Sequence, residues 1–221
     1  MPVNFERLSI LFEDESIIVI DKPAGLLTIA TETEREKTVY AALRKRANQK
    51  KPTERIFIVH RLDREASGLL VFAKTAEAKE RLQEQFKTHS AGRQYCAVVE
   101  GRIEENDFSI RSYLAENTAH RVYSTRKKGI GKHAITHVHV MKRNAKSTVL
   151  QVRLETGRKH QIRVHLAEKG HPLIGDKIYG SGWNPIRRLA LHGEHLSFTH
   201  PKNGKRVGFE SPYPKSFNAI P

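Results

Sequence analysis

Cysteine is nearly absent. Cys96 is the only one in 221 residues, which excludes an intrachain disulfide and any cysteine-based zinc cage, because both need cysteines in pairs. It lies in the apolar stretch YCAVV, where a core place suits it better than a nucleophile's. No run of 18 apolar residues occurs, so no membrane-spanning helix is expected. The first ten residues, MPVNFERLSI, lack the basic start and apolar centre of a secretory signal. A cytoplasmic location follows as the expectation. Aromatic residues are few, with one Trp, six Tyr and nine Phe, and none form the cluster that an RNA-recognition sheet would need. The patterns GxxxxGK[ST], GxGxxG after a strand, GxSxG and HExxH are also missing, which removes the common phosphate-loop, dinucleotide, esterase and zinc-protease templates.

Acidic residues are scarce in one half only. Residues 1–110 carry 18 Lys/Arg against 18 Asp/Glu, whereas residues 111–221 carry 21 against 6, together with ten of the twelve histidines. The net charge of +15 therefore belongs to the second half. No long block of like charge occurs, so the excess reads as one basic face of a folded surface, and a polyanion is the expected partner. Six scattered acids do not supply the convergent carboxylates of two-metal chemistry. The histidines His133, His137, His139, His160 and His165 do not have the spacing of a known metal helix, so a catalytic metal is not expected.

What is present is a globular pattern of short strands and helices. Ser16 to Ile20 reads as a strand ending in the turn Asp21-Lys22-Pro23-Ala24-Gly25. Val39, Ala42 and Leu43 have helical spacing within 38–46, and Ile56–Val59 and Gly68–Phe72 read as buried strands. Thr75 suits an N-cap for a helix with Ala78, Leu82 and Phe86 four apart, and Gly92 is expected to close it. Tyr95–Val99 reads as a strand. In Ala134–Met141, Thr136, Val138 and Val140 share one face, and His137 and His139 face solvent on the other. Val149–Leu154 alternates likewise, His160–Lys169 reads as a helix stopped by Gly170, and further strands are expected near 189–198 and 206–209. The class is α+β, organised as one unit with two lobes.

Two charged segments interrupt this pattern. HRLDREASG, residues 60–68, sets His60, Arg61, Asp63 and Arg64 between two apolar strands, where charge is costly unless paired or held in a cleft. Such a connection can present a carboxylate, and an aspartate that satisfies local backbone N–H groups would give the same spacing. TGRKHQIRVH, residues 156–165, places Arg158, Lys159, His160 and Arg163 at the start of the expected helix, an arrangement suited to phosphate oxygens. Arg163 could instead be an exposed helix charge, or it could hold the Asp63 carboxylate. The loop KKGIGK, with Lys127, Lys128 and Lys132, is basic and contains glycine.

HRLDREASGLLVFAK (60–74) and TGRKHQIRVHLAEKGHPLIGDKIYG (156–180) together closely resemble the RluA-type family of RNA pseudouridine synthases, with further matches at IIVIDKPAGLL (17–27), Arg93-Gln94-Tyr95, VVEG (98–101) and LALHGEHLSFTHP (189–201). The resemblance covers roughly Leu11 to Pro212. It implies a mixed, mainly antiparallel sheet with flanking helices and loops and a central RNA-binding cleft. It also implies an enzyme that detaches uracil from ribose in ribosomal or transfer RNA, turns the base and rejoins it through carbon 5, without metal or cofactor. The family's catalytic aspartate falls on Asp63, as nucleophile on the sugar or as base at the ribose 2′ carbon. Its active-site tyrosine falls on Tyr95, the basic partner of the acid on Arg163, the aliphatic pocket residue on Ile162, and the arginine that fills the space of a flipped nucleotide on Arg61. His60, Arg158, His160, Lys127, Lys128 and Lys132 are the expected RNA contacts. Ala66 stands where the family usually has Thr, which removes one hydroxyl from the loop. Residues 1–221 are expected to form one catalytic domain without a separate N-terminal RNA-binding module, to act as a monomer and to need no protein partner. A non-catalytic RNA-binding or ribosome-assembly protein on the same scaffold is the alternative.

Overall fold

The computed structural model describes residues 8–50, 52–127 and 129–221. In chain order they form strands β1 (Ser9–Glu13) and β2 (Ile17–Lys22), helix α1 (Val39–Lys50), strands β3 (Phe57–Ile58) and β4 (Ser67–Ala73), and helix α2 (Ala76–Lys87). Strands β5 (Gly92–Glu100), β6 (Asp107–Glu116), β7 (Val122–Thr125), β8 (Lys132–Arg143) and β9 (Ser147–Leu154) lead into helix α3 (Gln161–Glu168). Then come β10 (Leu191–Thr199), β11 (Arg206–Glu210) and a short 3-10 turn at Lys215–Ala219. The class is α+β, as the sequence pattern implied. Among the described residues no helix is long and apolar enough to cross a membrane. The chain divides into two compact units, one made of residues up to Gly92 with Gly193–Ser211, the other of Arg93–His192 with Pro212–Pro221.

In the first unit the strand order is β1-β2-β4-β10, with β3 on β4 and β11 on β10. The β1–β2, β2–β4, β3–β4 and β10–β11 ladders are antiparallel. Strand β4 is buried along its whole length, which is why SGLLVFA lacks the alternation of a half-exposed strand. Its neighbour β2 contributes Ile17 and Val19 to a core shared with Leu69, Val71, Leu82, Leu196 and Phe198. Helix α2 begins as expected, with the Thr75 side chain accepting the Ala78 N–H, and buries Ala78 and Leu82. Its end is different. The helix stops at Thr88, His89 takes a left-handed conformation with φ 61°, and Gly92 opens β5 instead of closing the helix. A Cβ at Gly92 would stand 2.6 Å from Ser197 Oγ, so a larger residue there would have to displace that hydroxyl.

In the second unit the order is β5-β9-β8-β6-β7, with the β5–β9, β8–β9, β6–β8 and β6–β7 ladders antiparallel. Cys96 is buried with Val98, Ile174, Ala190, Phe217 and Ile220, in the core place expected of it. Of the two histidines placed on the solvent face of β8, His139 is exposed and pairs with Asp107, whereas His137 is two-thirds covered, between Ser109 and Glu155. Helix α3 buries all of Gln161 to Leu166, more than one apolar stripe, because its polar side chains find partners. Gln161 bonds to Ile135 C=O and to Thr136 Oγ1, each at 2.9 Å, and the His165 ring is bracketed by Thr136 Oγ1 at 2.8 Å and Ser112 Oγ at 2.9 Å.

Burial pushes the His165 imidazole down to about 4 from an ordinary 6.5, against the opposing pull of Glu168. The unfolded chain therefore binds a proton near pH 6.5 that the folded chain refuses until about pH 4. The stabilisation from the neutral ring is full above pH 6.5 and is lost as pH falls toward 4, by about 3 kcal/mol. Urea unfolding of the wild type and of His165→Asn at pH 7.5 and pH 4.5 checks this. The variant is expected to lose distinctly less stability over that interval, and equal losses would exclude His165 as the titrating group.

Candidate active site

Asp63 is presented by the loop between β3 and β4 and is half-buried. Its two neighbours are pinned through the backbone. On one side, Thr28 Oγ1 donates to Leu62 C=O at 2.9 Å and accepts the Leu62 N–H at 3.2 Å. On the other, Arg64 C=O accepts the Gly25 N–H at 2.8 Å and Lys22 Nζ at 3.2 Å. Lys22 is fully buried and also donates to Pro23 C=O at 2.9 Å and Leu26 C=O at 2.8 Å. The turn 21–25 and its continuation to Thr28 thus form a jig for the loop, and Gly25 takes the φ of +86° that the turn requires. Immediately downstream, a Cβ at Gly68 would lie 2.3 Å from Gly193 O, so the chain leaving the loop is held against neighbouring backbone. Ala66 is buried, and the loop is fastened without the hydroxyl that it lacks.

The other candidates on this loop differ in what they face. Arg61 is exposed. His60 stacks on Phe86 at 4.5 Å between ring centres, and its Nε2 accepts the Val71 N–H at 3.2 Å. That hydrogen bond requires an unprotonated Nε2, so this edge of the ring serves the fold.

In the second unit, Tyr95 is buried on β5 opposite Val152. Arg163 is also buried, which overturns the reading of it as an exposed helix charge. Its Nε and Nη2 donate to the two carboxylate oxygens of Asp176 at 2.7 and 2.8 Å, with both side chains almost wholly shielded. A guanidinium survives such burial only when paired and hydrogen-bonded. Ile162 beside it is buried. Arg158 is exposed and donates to His133 C=O at 3.0 Å. His160 forms the N-cap position of α3 in the left-handed region, φ 54°, and its Nδ1 lies 2.8 Å from Tyr179 Oη. Arg158, His160, Ile162 and Arg163 thus gather at the start of α3. Lys127 and Lys132 stand exposed at the two ends of the β7–β8 connection, and Lys128 lies outside the described residues. Among the described residues no three His, Cys, Asp or Glu side chains group as a metal site would require.

Sequence reasoning passed over Lys22, Thr28 and Asp176. Lys22 and Asp176 lie within the matched segments 17–27 and 156–180, but nothing local tells a turn lysine from one whose ammonium also reaches a carbonyl 42 residues away.

A family model described as RNA pseudouridylate synthase matches residues 16–168. The chain is 41% identical over 222 residues to the ribosomal large subunit pseudouridine synthase D of Nitrosomonas europaea, covering 96% of this chain and 64% of that protein. It is 37% identical over 213 residues to an uncharacterized RNA pseudouridine synthase of Bacillus subtilis, covering 96% of this chain and 70% of that one. The solved structure of human RNA pseudouridylate synthase domain containing 1 superposes with a TM-score of 0.76 at 26% identity, covering 96% of this chain and 86% of that chain. That of human RNA pseudouridylate synthase domain containing 4 reaches 0.78 at 22% identity, covering 95% and 90%, and speaks to the fold alone.

Proposed function

Since the chain belongs to the RNA pseudouridylate synthase family, we propose that it converts uridines of ribosomal RNA to pseudouridine. The observation that carries the proposal is the pinned loop: Asp63, on the position of the family's catalytic acid, has both flanking residues fixed by hydrogen bonds from Lys22, Gly25 and Thr28. A group that must meet one ribose carbon gains rate from being held in place before the substrate arrives. In this reading Asp63 attacks the sugar or removes its 2′ proton, Tyr95 stacks on the freed base and helps take the carbon 5 proton, and Arg163 orients the acid. Ile162 lines the uracil pocket. The choice of ribosomal RNA is supported by the name of the Nitrosomonas relative.

A uridine within a folded RNA must leave its stack before its glycosidic bond can be reached, at a cost of a few kcal/mol. Attraction to phosphates offsets that cost. The exposed Lys127, Lys132 and Arg158, in a chain of net charge +15, are proposed to supply it, while the exposed Arg61 is proposed to fill the space that the nucleotide leaves. Replacing Lys127 and Lys132 with Ala is expected to weaken RNA binding and to lower the slope of log affinity against log salt by about one for each phosphate that is no longer neutralised. Titrations of RNA at several salt concentrations read this directly, and an unchanged slope would remove the two lysines from the interface.

The test of the activity is tritium release from RNA labelled at uracil carbon 5, with unmodified ribosomal and transfer RNA in separate reactions. Rejoining the base at carbon 5 expels the label. Release from ribosomal RNA is expected. Release from transfer RNA alone would overturn the substrate class, and tight binding without release from either would favour a non-catalytic RNA-binding protein.

A further inference from the structure

The segment Gly175-Asp176-Lys177-Ile178-Tyr179 has no part in the chemistry just proposed, yet it grips α3 at two points. Asp176 forks onto Arg163, occupying Nε and Nη2 at 2.7 and 2.8 Å. The fork fixes the plane of the guanidinium and does not use Nη1. The carboxylate is itself held, because its Oδ1 accepts the backbone N–H of Ile178 at 3.1 Å and of Tyr179 at 3.2 Å. Gly175 ahead of it has φ +81°, and a Cβ there would stand 2.2 Å from Arg188 O, so the turn that delivers the acid tolerates little change. Tyr179 makes the second grip. Its hydroxyl meets His160 Nδ1 at 2.8 Å at the first turn of α3 and accepts the Val122 N–H of β7 at 3.2 Å. Its ring lies 5.2 Å from the Arg163 guanidinium and 5.7 Å from that of Arg121.

We propose that Asp176 and Tyr179 are positioning residues for Arg163: Asp176 sets the guanidinium, and Tyr179 ties the start of α3 to β7, the strand that leads into the basic connection bearing Lys127. Neither residue touches the reacting atoms in this scheme. Both act through Arg163, and the inference rests on the reading of Arg163 as partner of the catalytic acid. Removal of the Asp176 carboxylate should then slow the chemical step and leave RNA binding little changed, because Lys127, Lys132 and Arg158 are untouched, whereas loss of the Tyr179 hydroxyl also releases His160 and should add a small effect on binding.

The experiment measures kcat and KM by tritium release for the wild type, Tyr179→Phe, Asp176→Asn, Arg163→Ala, and Tyr179→Phe and Asp176→Asn each combined with Arg163→Ala. Tyr179→Phe keeps the ring but loses the hydroxyl's two hydrogen bonds, with His160 Nδ1 and the Val122 N–H, and is expected to lower kcat about tenfold with at most about a twofold rise in KM. Asp176→Asn is expected to lower kcat about a hundredfold. In the Arg163→Ala background each loss should shrink to nearly nothing, because residues acting through one group do not add. If Asp176→Asn does not fold, Tyr179→Phe decides alone. Full activity of Tyr179→Phe, a loss confined to KM, or losses that multiply with Arg163→Ala would overturn the proposal. A wild type that releases no tritium would instead overturn the functional reading on which it rests.

Discussion

Asp63→Asn is expected to abolish turnover while leaving the fold and RNA binding intact. The substitution keeps the size and planar shape of the side chain and removes the negative charge and the basic oxygen, which either form of the chemistry needs. The loop should not move, because it is fastened through the backbone of Leu62 and Arg64 and not through the Asp63 side chain alone. Tritium release should therefore fall by about a thousandfold or more, with the melting temperature within about 2 °C of the wild type and RNA affinity within about threefold. Filter binding and a thermal melt on the same preparation separate these effects. Substantial turnover by Asp63→Asn would remove the residue from the chemistry. Parallel loss of binding and turnover would make it a binding residue instead.

The parts of this arrangement that were legible in the sequence are those with local causes. Thr75 followed by Ala78 and Leu82 at helical spacing specifies α2, and the unbroken apolar run of β4 specifies a strand buried on both faces. Strand β6 was not read because the alternation in DFSIRSYLAE is carried by Phe108 and Ile110 alone and breaks at Tyr113-Leu114-Ala115, and the ladder with β8 sets its form. Strand β1 was missed for a similar reason, a five-residue edge whose register shifts between Ile10 and Phe12. Among the site residues, Asp63 stood out because a carboxylate between two apolar strands is costly. The burial of Arg163 did not, since it depends on a carboxylate 13 residues later that arrives by way of a turn at Gly175. Charge in a sequence marks a demand for a partner, and it leaves the partner's identity to the tertiary fold.

Lys22→Met is the second large effect expected, and it joins stability to catalysis in one residue. The side chain is fully buried, so methionine fills nearly the same volume and the change isolates the ammonium. That ammonium donates to the carbonyls of Pro23, Leu26 and Arg64. Without it, buried acceptors lose a charged donor, a loss of about 3 kcal/mol, which for a chain of this length lowers the melting temperature by about 10 °C. The Arg64 carbonyl keeps only the Gly25 N–H, and the C-terminal side of the Asp63 loop gains freedom. Turnover measured well below the new melting temperature should then drop about tenfold with little change in KM, the mark of an acid less well aimed rather than of weaker RNA capture. Thr28→Val, which frees the Leu62 side while keeping its volume, should move kcat in the same direction by a smaller factor, because a neutral hydroxyl gives less than a buried ammonium. A Lys22→Met protein that melts and turns over like the wild type would mean that the turn at 21–28 holds the loop by packing alone.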